Sequence, residues 1–455
     1  MSTVVAGIPF TAALRIWARI GLESFGGPAG QIAVMHRVLV EEQRWISEER
    51  FLHALSYCML LPGPEAQQLA TYVGWLLHRT MGGLAAGLLF VAPGFVTILV
   101  LSLLYAAYGN LPLVAAIFFG IKPAVLALVL EALLRISRRA LKHRFHWWVA
   151  AAAFIAIFVL RVPFPLIVLG AAGLGFALQR LVPAFVPETT AASSAAGAPA
   201  VVDAMFDRES PAHPQPSLGH ALRVVALWGG LWVTPIGLLF ATLGGDHVFT
   251  QIAVFFSKMA VVTFGGAYAV LAYVAQQAVE THHWLAPGEM LDGLGMAETT
   301  PGPLIQVVQF VGFLAAYRQP GALTPWIAGT IAAVLTTWVT YVPCFLWIFL
   351  GAPYVERVRS NRALRGALAS ITAAIVGVIL NLTVWFSLHV LFGTVRDVRV
   401  GPLSLQMPAW ETVDVAAVAI AVAAAIATLR FHAGIFALLG GSAIAGLLWR
   451  FGFGA

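Results

Sequence analysis

Three pairs of polar residues stand 239 positions apart in an otherwise apolar chain: Arg19 with Lys258, Ser24 with Thr263, and Gln67 with Gln306. They flank helix-breaking clusters that recur at the same distance. Phe25-Gly26-Gly27 matches Phe264-Gly265-Gly266, Pro62-Gly63-Pro64 matches Pro301-Gly302-Pro303, and Trp45 matches Trp284. Pro-Gly-Pro removes backbone hydrogen bonds and ends a helix. The half-helix that begins after it presents free N–H groups and a positive dipole end. Two such ends from matching halves, with a cation and neutral hydrogen-bonding side chains beside them, make a site for an anion near the bilayer midplane.

Each feature also has a structural reading. The prolines can simply kink helices, and the glycine pairs can serve close helix packing. Ser24, Thr263, Gln67 and Gln306 can bond between helices. Arg19 can snorkel or pair with Glu23 one turn later. Lys258 weakens that last reading, because Val262 stands where Glu23 does. A cation in a membrane helix costs about 2.5–3.5 kcal/mol on insertion scales, so two at one repeat position call for a reason. Lys122 is a further membrane cation, aligned with Thr372. Glu65, Glu298 and Glu131 are carboxylates that could couple ion movement, and none is duplicated. His282-His283 and the pair His143 and His146 offer too few ligands for a metal. No phosphate-cradling loop or nucleophile elbow appears. The chain therefore reads as neither an enzyme nor a cofactor-binding protein, and ATP-driven transport by it alone is disfavoured.

Membrane helices must position these residues. Of 455 residues, 60% are hydrophobic and 10% charged, and mean hydropathy is +0.87. A soluble chain carries roughly 25% charged residues, so lipid is the solvent for most of this surface. The net charge of +6 sits in short loops and is no nucleic-acid footprint. With about 20 apolar residues per span, thirteen spans are predicted: roughly 10–34, 50–77, 82–108, 111–134, 146–160 and 163–182, then 222–243, 248–275, 288–317, 322–350, 363–392, 411–429 and 432–452. Residues 183–220, rich in Pro, Ala and Ser, read as a flexible cytoplasmic linker. It separates an N-terminal half, 1–182, from a C-terminal half, 221–455. The predicted fold class is an all-α polytopic membrane protein of two homologous, inverted halves, with about 13 transmembrane helices broken at Pro-Gly-Pro. Cys58 and Cys344 read as core residues, and Met1–Pro9 does not look like a cleavable signal peptide.

Loop charge predicts the orientation. Arg135, Arg138, Arg139, Lys142 and Arg144 form one basic loop, and Arg357, Arg359, Arg362 and Arg365 another. Both are expected in the cytoplasm. Later in the repeat the offset widens to about 250, which sets Pro93 on Pro343 and Ile121 on Ile371. Equivalent loops then carry opposite biases, as inverted copies would, and 222–243 is the odd helix that inverts the second. The N-terminus is expected inside and the C-terminus outside. Under this span list, 50–77 and 288–317 are expected to cross as broken helices rather than fold back. No helix face marks an oligomer interface, and a homodimer stays open.

The motifs resemble those of the chromate ion transporter family, long-chain type. The matching residues are Phe25-Gly26-Gly27-Pro28, Trp45-Ile46 and Leu61-Pro62-Gly63-Pro64 with Gln67, then Phe264-Gly265-Gly266, Trp284-Leu285 and Thr300-Pro301-Gly302-Pro303 with Gln306. The resemblance covers both halves and excludes the linker. It implies an inner-membrane exporter of chromate that confers resistance, with sulfate as a competitor of the same shape and charge. Glu65 follows the first Pro-Gly-Pro and Leu304 the second, so the two half-sites are chemically unequal. Direction has a physical basis. An interior negative by about 100 mV drives each anionic charge outward by roughly 2.3 kcal/mol. Sulfate uptake would instead require coupling, and a channel or a membrane reductase fits the broken helices less well.

Overall fold

In the computed structural model, residues 8–181, 218–264, 267–352, 362–400 and 403–452 are described. Most of the linker, Gly265, Gly266, Arg357 and Arg359 lie outside them. Seven helices among the described residues are long and apolar enough to cross a membrane, and four shorter apolar helices accompany them. The protein is an all-α polytopic membrane protein; the described residues include a β-hairpin, β1 (Val395–Val400) and β2 (Leu403–Pro408), after the long helix of the second half.

Each copy begins with short arms that do not continue straight. The helices α1 (Phe10–Glu23) and α2 (Gly27–His36, prolonged by a π-helical turn Arg37–Glu42) meet at Ser24–Gly26. Arg19 of α1 pairs with Glu42 at 2.7 Å, and Glu23 pairs with Arg37 at 2.6 Å, so α2 runs back alongside α1. The equivalent arms α9 (Val248–Val262) and α10 (Ala267–Gln276) do the same. Phe255 of α9 lies 6.2 Å from Tyr273 and 5.5 Å from His282, ring to ring. Trp45 and Trp284 then close each hairpin, donating their backbone N–H groups to Leu39 O at 2.8 Å and Ala278 O at 2.7 Å.

The Pro-Gly-Pro segments form a second hairpin in each copy. The arms α11 (Pro287–Thr299) and α12 (Val307–Arg318) are joined by Pro301-Gly302-Pro303 and a 3-10 turn. Glu289, at the start of α11, pairs with Arg318, at the end of α12, at 2.6 Å. In the first copy α3 (Glu48–Cys58) leads through Pro62-Gly63-Pro64 into α4 (Glu65–Tyr108), and Tyr57 faces Tyr72 at 5.4 Å. α4 itself turns back at His78 and Arg79, whose backbone is non-helical. A Cβ on Gly83, beyond the turn, would lie 2.9 Å from Thr71 O before it. The arm 65–77 thus doubles back on the membrane-length arm 80–108.

These contacts correct the expectation that 10–34, 50–77, 248–275 and 288–317 each cross. Arms of 10 to 15 residues reach about 15–22 Å at 1.5 Å per residue, short of the roughly 30 Å hydrocarbon core. Two folded-back segments per half remove an even number of crossings, which is compatible with both basic loops on their predicted side.

The membrane-length helices exchange partners between copies. α5 (Pro112–Ala140) packs on α15 (Val415–Phe431) and α16 (Ile435–Gly452), while α14 (Arg362–Leu391) packs on α6 (Arg144–Phe158) and α7 (Phe164–Leu181). Small residues permit these crossings: a Cβ on Gly120 would touch the backbone of Gly446, and one on Gly377 that of Phe154. α13 (Pro325–Gly351) lends Phe345, Ile348 and Phe349 to the core of the first-copy hairpins. The long arm of α4 lies against the second-copy hairpins. α8 (Leu218–Leu243), with no counterpart in the first copy, is apolar and mostly exposed.

Candidate functional site

The hairpin tips interlock across the two copies. Gly302 of the second Pro-Gly-Pro donates its N–H to Ser24 O at 2.8 Å, and Gly63 of the first donates to Thr263 O at 2.8 Å. Each Pro-Gly-Pro is therefore bonded to the glycine-rich break of the opposite copy. Gln31 donates from Nε2 to Gly302 O at 2.7 Å. Gly302 has φ +92° and Gly63 φ +122°, a region L-residues with a Cβ avoid. The long arm of α4 seals one side, since a Cβ on Gly302 would sit 3.1 Å from Gly94 Cα.

Two half-helices start at this junction. Pro64 and Pro303 precede them and supply no side-chain cap. Among the described residues no acceptor meets the N–H groups of Glu65, Ala66 and Gln67, or those of Leu304 and Ile305. Gln67 and Gln306 lie within the first turns and are fully buried. Gln67 Nε2 bonds Thr71 Oγ1 at 3.0 Å, and Gln306 Nε2 bonds Thr337 Oγ1 at 3.1 Å and Gln309 Oε1. The Oε1 atom of each is buried without a partner, as is that of Gln68. Amide O and N are interchangeable by a flip, so Gln67, whose only side-chain partner is a hydroxyl that can also donate, can offer a donor to a bound oxyanion; Gln306 Nε2 stays committed to Gln309 Oε1 and Thr337 Oγ1. An orphaned buried amide atom otherwise costs about 1–3 kcal/mol.

Other expected ligands are placed differently. Ser24 and Thr263 are buried, but their hydroxyls donate to Ile20 O at 2.6 Å and Met259 O at 2.5 Å, one turn back. Their backbone carbonyls, not their hydroxyls, serve the junction. Arg19, one turn before the Ser24–Gly26 break, is held by Glu23 and Glu42, each at 2.7 Å, with its side chain 40% exposed. Its charge is already balanced by these carboxylates. Lys258 is exposed and finds no ion partner among the described residues, because Val262 and Thr281 stand where Glu23 and Glu42 do. Gly26 and Gly27 have φ +77° and +72°, and Gly265 and Gly266 lie outside the described residues.

The carboxylates divide. Glu65 is half-buried at the start of its half-helix. Glu298 is 3% exposed at the end of α11 and accepts a hydrogen bond from Tyr268. Lys122 is removed from the tips and pairs with Asp292 at 3.4 Å, whose other bond comes from Tyr105 at 2.8 Å. Sequence reasoning did not single out Tyr268, Asp292, Gln31 or Gln309. Their repeat counterparts are Ala29, His53, Val270 and Ala70, so duplication could not flag them. Among the described residues no three His, Cys, Asp or Glu side chains gather as for a metal ion.

Membrane-length helices around interlocked re-entrant tips define a polytopic membrane transporter. The sequence pattern of the family described as "Chromate transporter" matches residues 11–176 and 250–447, two segments that begin 239 positions apart. The chain belongs to the chromate transporter family. It is similar to the "Chromate transport protein" of Pseudomonas aeruginosa, 32% identical over 365 residues, 79% of this chain and 77% of that protein. The protein of the same name from Cupriavidus metallidurans is 26% identical over 362 residues, 79% of this chain and 78% of the other. The "Probable chromate transport protein" of Synechococcus elongatus is 26% identical over 416 residues, 89% and 93% of the two chains. No solved structure matches the chain.

Proposed function

We propose that this protein exports chromate across the inner membrane by alternating access, with the interlocked tips as the oxyanion site. The carrying observation is the pair of uncapped half-helix N-termini, each with a fully buried glutamine whose amide oxygen has no partner. A tetrahedral dianion satisfies the free N–H groups and a flipped Gln67 amide together, without a fixed cation at the centre. Sulfate presents the same outline and is the second substrate to test.

The two copies face opposite sides of the bilayer in this reading. The first-copy hairpins enter from the cytoplasm, with Arg44, Arg50 and Arg79 at the connections between their arms. α8 then crosses, and the second-copy hairpins enter from outside. The N-terminus and linker are inside and the C-terminus outside. Freeing one pair of tips opens the site to one side while the other pair stays closed. With an interior at about −100 mV, a dianion gains roughly 4.6 kcal/mol on leaving, so potential alone can drive export. A proton gradient can add to or offset this.

The test is efflux of labelled chromate from cells or vesicles, with sulfate as competitor and with potential and pH gradient set independently. Accumulation unaffected by the protein refutes the exporter. Lys258, exposed and without an ion partner among the described residues, is expected to draw the anion in. Lys258→Ala should abolish efflux at unchanged membrane abundance, and wild-type efflux by that variant would assign it a structural role.

A further inference from the structure

We infer that Glu298, with Tyr268, is a proton-binding site linked to the oxyanion site, so that one proton is bound and released together with the dianion. The inference rests on the oxyanion reading above and goes beyond it by naming the residue that carries the proton. Glu298 lies four residues before Gly302, in the last turn of α11, 3% exposed. Its one hydrogen bond among the described residues comes from the neutral hydroxyl of Tyr268. The charged groups facing it from neighbouring elements are Arg135 and Glu131 of α5, already paired with each other. Along α11 itself the next is Asp292, held by Lys122 and Tyr105. Among the described residues no cation is bound to Glu298.

Tyr268 connects this carboxyl to the tips. A Cβ on Gly27 would lie 3.8 Å from Tyr268 Oη and 3.9 Å from Leu304 Cδ2. Gly27 belongs to a break of the first copy, Tyr268 follows the break of the second, and Leu304 starts the half-helix whose N–H groups are free. A dianion at that N-terminus is a like charge close to Glu298 in a site without water's screening. The end of α11 also exposes helix carbonyls, which oppose a carboxylate. Taking one proton from the aqueous phase onto a Glu298 oxygen removes both conflicts. The Tyr268 hydroxyl serves either form, donating to the ionised carboxylate or to the carbonyl oxygen of the acid. When the anion leaves, the proton returns to water, so each chromate carries one negative charge outward instead of two.

Linkage makes the effect reciprocal: if the anion favours the proton, the proton favours the anion by the same factor. The experiment is equilibrium binding of radiolabelled chromate to the purified full-length protein across pH, comparing wild type with Glu298→Gln and Tyr268→Phe. Chromate's own protonation is common to all three and cancels in the comparison. Wild-type affinity should weaken with rising pH more steeply than that of Glu298→Gln, by up to a factor of ten per pH unit. Tyr268→Phe should keep the wild-type slope but move its midpoint, which protects the test should Glu298→Gln fold poorly. Equal slopes in wild type and Glu298→Gln, or an unmoved midpoint in Tyr268→Phe, overturn the inference and leave the oxyanion site standing. Absence of saturable chromate binding by wild type overturns both.

Discussion

Replacing Gly302 by alanine strikes the junction at its narrowest point. The residue sits at φ +92°, where a side chain costs roughly 1–3 kcal/mol in backbone strain. Its new Cβ would lie 3.1 Å from both Cα and N of Gly94. These are backbone atoms and cannot rotate away. Any shift that relieves the contact pulls on two hydrogen bonds, Gly302 N–H to Ser24 O at 2.8 Å and Gln31 Nε2 to Gly302 O at 2.7 Å. Each contributes about 0.5–1.5 kcal/mol. A local penalty of about 2–4 kcal/mol would lower the interlocked population roughly thirtyfold or more, at tenfold per 1.4 kcal/mol. Chromate efflux per molecule, normalised to protein in the membrane, should fall at least tenfold. Gly94→Ala should reproduce the defect from the other side, since its Cβ would meet Pro301 O at 2.8 Å. Gly170→Ala, in α7 with nothing within 4 Å of the added Cβ, is the control. Efflux by Gly302→Ala equal to that of the control would refute the role of the interlocked tips.

Gln67→Leu and Gln306→Leu should each weaken chromate affinity about tenfold while sparing abundance, because each removes one buried amide of about 1–3 kcal/mol; unchanged half-saturation would exclude the amides as ligands. Lys122→Met strands the buried Asp292 carboxylate and should destabilise the protein by about 3–5 kcal/mol. Adding Asp292→Asn should restore most of the thermal stability, and failure to do so would deny the pairing. Glu289→Cys and Arg318→Cys, made singly, should each react with a membrane-impermeant thiol reagent from outside. Labelling of the two positions from opposite sides would return α11 and α12 to a crossing helix.

Two long-range observations reinterpret features that were legible in the chain. Arg19 and Lys258 share a repeat position, yet the first copy supplies Glu23 and Glu42 against Arg19 while the second supplies Val262 and Thr281. Identity of position therefore did not mean identity of role, since a charge is defined by what folds against it. The glutamines illustrate the opposite case. Gln67 and Gln306 share position, burial and an orphaned amide oxygen, so here the same repeat position has the same surroundings.

The sequence by itself determined that lipid is the solvent, that one unit occurs twice, and that its helices break at Phe-Gly-Gly and Pro-Gly-Pro. Those properties are compositional or local: apolar content sets the solvent, and a proline or glycine acts on its own turn. The direction taken after each break was decided only by tertiary structure. A glycine permits either sign of φ, and ion pairs such as Glu289 with Arg318 show that the chain turns back. Tertiary structure likewise decided that Gly302 bonds to Ser24 and Gly63 to Thr263, breaks of opposite copies. It brought Tyr268 and Gln31, whose repeat counterparts are the apolar Ala29 and Val270, to the same junction. Such contacts join residues far apart in the chain and are set by packing between helices, so no local pattern encodes them.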